Sequence, residues 1–230
     1  MDQTDRWNDL YRSQTRAWRG VTDLGELPFD ECARILEVGC GNGKTMAALI
    51  ERGFRVTGVD FSSEAVDACR RILGNDADVR CASVLDLPFD DGEFDGATAF
   101  HVLENLDPGD VPKAVSELAR VCKEGSFVKA RVFSAGDLRS DKGERISDDT
   151  VVRGNGIRYR YFTEDSLRDC FDGRECVSIR SYSEATRFGG SRSRIGPYSA
   201  SECASISFAD RHPSHRFAIT LINPTLYRTS

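Results

Sequence analysis

Residues 35–44 read ILEVGCGNGK. An apolar run long enough for one buried strand enters three glycines at alternate positions, Gly39, Gly41 and Gly43, with Glu37 just ahead of them. Lys44 then opens KTMAALIERG, whose apolar spacing predicts a helix ending at Gly53. A strand, a glycine bend and a helix in that order belong to an α/β sheet, and the bend sits at the carboxyl edge, where ligands bind. Without Cβ atoms the backbone can take positive φ and approach a ligand closely. The helix that follows turns its first amides towards any anionic group held there.

The same alternation continues outward. FRVTGVD predicts a second strand, and SSEAVDACRRILG a helix capped at Ser62 and stopped at Gly74. VRCASV and FDGATAFHV predict the third and fourth strands. GDVPKAVSELARVCKEG predicts a helix buried through Val111, Ala114, Val115, Leu118 and Val121, and SFVKARVF a fifth strand. Repeated alternation with short joins predicts a parallel sheet with helices on both faces. Residues 134–150 are polar and predict a long loop, of the kind that is often functional. TVVRGNGIRYRYF predicts a hairpin turning at residues 154–156, with Ile157, Tyr159 and Tyr161 alternating against Arg158 and Arg160. ECVSIRSYS and HRFAITLIN are candidates for two last strands forming an antiparallel edge; no internal repeat is present.

The 230 residues suit one α/β domain over residues 1–230, and 40% hydrophobic with 30% charged residues describes a chain with a real core. No apolar run approaches the ~20 residues of a membrane span. The opening MDQTDRWNDLYR lacks a secretory apolar segment, so a cytoplasmic protein without membrane contact is expected. Eight cysteines are scattered with no C-x-x-C pair, which predicts reduced thiols and no metal centre. His212 and His215 flank a Pro-Ser pair and read as surface loop. Net charge is −6. Residues 1–130 hold 15 Lys+Arg against 24 Asp+Glu, and residues 131–230 hold 16 against 13. That balance disfavours a long nucleic-acid track and leaves room for a local arginine-rich mouth.

Two features narrow the ligand. Dinucleotide loops read G-x-G-x-x-G, whereas here Lys44 stands where the third glycine would fall. Asp60 ends the second strand, where a carboxylate can accept from the two hydroxyls of a ribose. Together they point to an adenosyl ligand. The stretches LEVGCGNG, VTGVDFSSEAVDACR and SVLDLPFDDGEFDGATAFHVLENL resemble, in order and spacing, the class I S-adenosylmethionine-dependent methyltransferases over about residues 33–133, nearest the group labelled type 11. The resemblance implies a Rossmann-like sheet of seven strands, mostly parallel, with an antiparallel last strand, and S-adenosyl-L-methionine as cofactor. It implies that Glu37 and the backbone from Gly39 through Cys40 and Gly41 to Gly43 line the methionine end. Asp60 would bind the ribose, Phe61 would flank the adenine, Ser83 and Val84 would meet its edge, and Phe100 and His101 would border the sulfonium.

Each candidate has a plainer reading. His101 either moves or orients a substrate proton, or simply lines the site; Glu104 either orients it or faces solvent, and solvent is the expected side. Residues 1–20 form a helix and a possible lid in which Tyr11, Trp18 and Arg19 either cover the ligand or pin the helix. Residues 134–162 are expected to help build the acceptor pocket. In it Arg158, Tyr159 and Arg160, with Arg131 from the fifth strand, either bind an anionic acceptor or leave an exposed charged face. The expected reaction is in-line methyl transfer to a small-molecule acceptor. Because RYRYF resembles the C-terminal part of tRNA wobble-uridine methyltransferases, a tRNA nucleoside with a partner subunit is the alternative. A silent adenosyl sensor and a nicotinamide oxidoreductase are the remaining readings.

Overall fold

The computed structural model describes residues 2–14, 22–74, 77–137, 139–171, 175–185 and 216–225. Helix α1 (Gln3–Ser13) starts at Asp2, whose side chain accepts from the Asp5 amide at 2.9 Å. The glycine bend joins β1 (Arg34–Val38) to α2 (Lys44–Glu51), and β2 (Arg55–Asp60) runs into α3 (Ser63–Leu73), capped by the Ser62 hydroxyl on the Ala65 amide. Then come β3 (Val79–Cys81), β4 (Phe94–Phe100), α4 (Val111–Val121) and β5 (Cys122–Phe133). Beyond them lie β6 (Glu144–Ser147), β7 (Thr150–Val152), β8 (Arg158–Arg160), α5 (Glu164–Asp169), β9 (Glu175–Ala185) and β10 (Arg216–Thr225).

Seven strands form one sheet in the order β3-β2-β1-β4-β5-β10-β9. The chain leaves β1 towards β2 on one side and returns to β4 on the other, so the order reverses between β1 and β4. That crevice is where ligands bind in open α/β sheets. Alternation along β1 divides the core. Leu36 and Val38 pack with Leu118 and Val121 of α4 and Leu167 of α5, while Ile35 packs with Ala48 and Leu49 of α2. Val66 and Cys69 of α3 meet Met46 of α2 on that second side. Helices therefore cover both faces, as the alternation of strand and helix implies. No described helix is long and apolar enough to cross a membrane.

Two expectations are corrected. The last strand is not antiparallel: β10 pairs parallel with β5 (Arg216↔Phe127 to Ile222↔Phe133) and parallel with β9. An apolar stretch such as HRFAITLIN reads alike in either direction. Direction is set by the connection, since a parallel pairing needs a crossover of about a dozen residues or more and an antiparallel one does not. Residues 134–150 are not all loop either, since β6 pairs antiparallel with β7, and β7 with β8, in a separate three-stranded sheet. Its polar sequence hid it because all four β6 residues face outward and carry no burial pattern.

Helix α1 is held between this small sheet and α3. Trp7 and Tyr11 are buried with Val151, Ile157, Tyr159, Tyr161 and Ala65. Gln3 donates to the Gly156 carbonyl and accepts from the Arg158 amide, and Arg12 reaches Glu64 at 3.1 Å.

Candidate active site

The glycine bend is shaped first by the protein itself. Gly39 and Gly43 have φ of +68° and +81°. A Cβ on Gly39 would lie 2.5 Å from Cγ2 of Val102, and one on Gly43 would lie 2.7 Å from Sγ of Cys69. The bend is thus pressed against the segment after β4 and against α3, and its curvature is fixed before any ligand arrives. Gly39→Ala is expected to cost about 1–2 kcal/mol for the backbone conformation alone, plus the clash. Urea melts should show Val102→Ala recovering only the clash part in the double variant.

Asp60 completes the bend. Its Oδ2 accepts from the Gly41 amide and its Oδ1 from the Ser62 amide, both at 2.9 Å. Burial pushes its carboxyl up to about 6, against the pull of these amides and that of Phe61. Each oxygen keeps a second lone pair for a ligand hydroxyl. Phe61, next in the chain, is 37% exposed, and it lies beside Ser83 and Val84 on one wall of a cleft of about 1400 Å³. Such an aromatic face at the mouth suits a stacked purine, and the volume exceeds the ~300–1,000 Å³ of ordinary ligand pockets, leaving room for an acceptor beside a cofactor. Gly39, Cys40 and Gly41 line the same cleft, with Phe100 and His101 from the end of β4.

Glu37 lies behind the bend rather than on the wall, 1% exposed. It pairs in register with Thr98 of β4, whose hydroxyl donates to its Oε2. Burial pushes the carboxyl up to about 8, opposed by hydroxyl bonds from Thr98 and Thr45 and by the charge of Arg131. Thr98 and Thr45 are site residues that strand and helix periodicity did not reveal; for Thr98 the one clue is a hydroxyl between two alanines.

The opposite wall is aromatic and basic. Phe133, at the end of β5, has the His101 ring 4.6 Å away and the Arg139 guanidinium 4.5 Å from its own ring centre. Arg139 is held by a two-pronged pair to Asp137. Arg131 lies over Phe100 at 4.3 Å. Arg158 and Tyr159 line the cleft, Arg158 being paired with Asp107 at 2.6 Å. Arg160 does not reach it: its side chain is tied to Asp149 at 2.6 Å and lies over Phe162. The hairpin is therefore not one exposed charged face, because both arginines are engaged in ion pairs. Tyr11 is buried against the small sheet and also lines the cleft; Trp18 and Arg19 fall outside the described residues, as do His212 and His215.

Glu104 corrects the expectation of a solvent-facing carboxylate. Its side chain has no exposure and its Oε1 lies 2.7 Å from Nδ1 of His101. The reason is local: Leu103–Asn105 forms a turn of 3₁₀ helix packed under β8, which turns Glu104 inward. Lys129 is a further charged residue lining the cleft. Its Nζ donates to the carbonyls of Leu24 (2.8 Å) and Glu26, fastening the chain before β1 against β5, and burial lowers the ammonium to about 8. Cys40 packs with Met46, Val66, Cys69 and Val79, which accounts for a small side chain in the bend.

Known proteins agree with this geometry. A family model described as a methyltransferase domain matches residues 36–129. The tRNA N(3)-cytidine methyltransferase METTL2 of Danio rerio is 35% identical over 152 residues, covering 60% of this chain and 43% of its own. A demethylmenaquinone methyltransferase of Clavibacter sepedonicus is 35% identical over 133 residues, covering 56% of this chain and 53% of its own. The chain thus spans about half the length of these relatives or less. A solved S-adenosylmethionine-dependent methyltransferase of Methanosarcina mazei superposes with a TM-score of 0.56 at 25% identity, covering 64% of this chain and 85% of its own. With a strand-bend-helix at the sheet's reversal point, Asp60 tying the bend and this run of matches, residues 36–129 match a methyltransferase domain and the fold is that of S-adenosylmethionine-dependent methyltransferases.

Proposed function

We propose that the chain transfers a methyl group from S-adenosylmethionine to a nucleoside base of tRNA. One observation carries this reading beyond the family: opposite the cofactor bend, the cleft presents Phe133 and Tyr159 interleaved with Arg139 and Arg158. Aromatic faces stack bases, and guanidinium groups take phosphate oxygens. The match to tRNA N(3)-cytidine methyltransferases supports the same acceptor class. Bound S-adenosylmethionine supplies a methyl group already activated on a sulfonium, which leaves the chain to align the acceptor and exclude water. In this assignment the bend lines the methionine end, Asp60 holds the ribose, Phe61 stacks on the base, and Glu37, buried behind the bend, counters the charge of the cationic tail from there. The acceptor enters between His101 and the Phe133 wall. The N3 of a cytosine-type base already carries its lone pair at neutral pH, so methyl transfer to it needs orientation rather than a base. Because the chain is acidic overall, with net charge −6, tRNA affinity beyond the cleft is assigned to a basic surface on a partner subunit.

A small aromatic acceptor is the second reading, favoured by the match to the quinone-modifying enzyme. Two measurements separate them. Thermal shift should show stabilisation by S-adenosylmethionine and S-adenosylhomocysteine and none by NADH. Labelled methyl should then enter bulk tRNA and not a demethylated quinol; the reverse pattern would replace the first reading by the second.

A further inference from the structure

We propose that Glu104 is a positioning residue that fixes the proton of a neutral His101 on Nδ1 and so leaves Nε2 bare towards the cleft, an acceptor that selects a base carrying an amino group beside the methylated nitrogen over one carrying a carbonyl. The proposal rests on the tRNA reading above.

The backbone aims the ring. His101 has φ of +62°, a conformation in which non-glycine residues are uncommon, histidine less so than most. It is held there from both sides, its amide donating to the Arg131 carbonyl at 2.9 Å and its own carbonyl accepting from Nδ2 of Asn105 at 2.7 Å. A conformation fixed by its surroundings in this way belongs to sites where a side chain must point somewhere in particular. Glu104 then fixes the ring's chemistry. A carboxylate offers acceptors only, so the 2.7 Å contact places an imidazole proton on Nδ1, and in the neutral ring the lone pair then lies on Nε2. The His101 side chain is 39% exposed, while that of Glu104 has no exposure. The half of the ring away from Glu104 is therefore the half that meets the cleft. Arg131 and Arg139 already line that cleft, so the neutral ring avoids adding a third cation where a sulfonium must also sit. A lone pair aimed at the acceptor welcomes the amino group of a cytosine-type edge and repels the carbonyl of a uracil-type edge.

Nitrogen-15 histidine spectra test the tautomer without turnover, and three histidines in the chain make assignment by His101→Gln direct. The expected spectrum has Nδ1 protonated and Nε2 bare. Glu104→Gln, whose amide oxygen still accepts from Nδ1, should keep it, and Glu104→Leu should lose it with cofactor affinity unchanged. Protonation at Nε2 in the parent protein overturns the proposal. With matched RNAs carrying cytosine or uracil at the acceptor position, the parent and Glu104→Gln should bind the cytosine RNA roughly tenfold or more tightly, and Glu104→Leu should lose that preference. Equal binding of both RNAs by the parent protein overturns the selection. If no RNA is methylated at all, the tRNA reading falls, and the tautomer spectrum still decides the role of Glu104.

Discussion

Asp60→Ala is expected to weaken S-adenosylmethionine binding by about 100-fold or more and to cost about 2–4 kcal/mol of stability, since two charge-assisted hydrogen bonds are worth about 1.5–3 kcal/mol each before relaxation. Asp60 is one carboxylate with two tasks. Its oxygens tie the Gly41 amide at the first crossover to the Ser62 amide at the second, so removing them leaves two buried donors facing nothing. The same oxygens carry the lone pairs assigned to the ribose. Asp60→Asn should be nearly as harmful, because its NH₂ must oppose one of the two amides. The pH dependence has a definite sign. Burial raises the carboxyl from 3.8 to about 6 in the folded chain. Ionisation therefore opposes folding, and the stability contributed by Asp60 falls as pH rises through that window. Cofactor affinity should move the other way, improving as pH climbs through 6 and the full set of lone pairs appears. Calorimetric titration beside urea melts measures both trends, and unchanged cofactor affinity in Asp60→Ala would take the ribose assignment down.

The parts of this site that sequence made legible are those set by local periodicity. Ile35 to Val38 reads as a buried strand because it is covered on both faces, and Gly39 to Gly43 follows it at once. Asp60 could be found because it ends the next strand, and neighbouring parallel strands bring their ends to one edge. Ser62 and Gly74 bound α3 as capping chemistry requires. What stayed hidden depends on which segments meet in space. Thr98 is a partner of Glu37 only through the β1–β4 register. Glu104 looked exposed because a short 3₁₀ turn has too few residues to show a buried face. Val102 and Cys69, the side chains that forbid Cβ atoms on the bend, come from segments far along the chain. Arg160 alternates correctly with Tyr159, yet its partner is Asp149 on the turn between β6 and β7, which alternation cannot reveal. The direction of β10 belongs to the same class, being a property of the connection and not of the strand.

Glu37→Gln should make the ligand-free protein more stable and the cofactor complex weaker, two effects of opposite sign from one atom change. Buried behind the bend, the carboxyl is raised from 4.5 to about 8, with desolvation outweighing the hydroxyls of Thr98 and Thr45 and the charge of Arg131. Between these values the folded chain binds a proton that the unfolded chain has released, so stability falls by up to about 1.4 kcal/mol per pH unit as pH rises. Glutamine carries no such charge, and at pH 8 the variant should exceed the parent by on the order of 3 kcal/mol in urea melts. A carboxyl kept neutral by its surroundings is also poised to take up a cation. An ammonium brought within reach restores the charge, the proton leaves, and affinity tightens as pH approaches 8. Titration calorimetry in buffers of different ionisation enthalpy counts that proton directly. The parent should release a proton on binding S-adenosylmethionine near pH 7 beyond whatever the ligand itself releases, and Glu37→Gln should lose that extra release together with about tenfold or more in affinity. A variant that gained stability yet bound with parental affinity and proton release would confine Glu37 to the architecture of the β1–β4 seam and assign the cationic tail to another group.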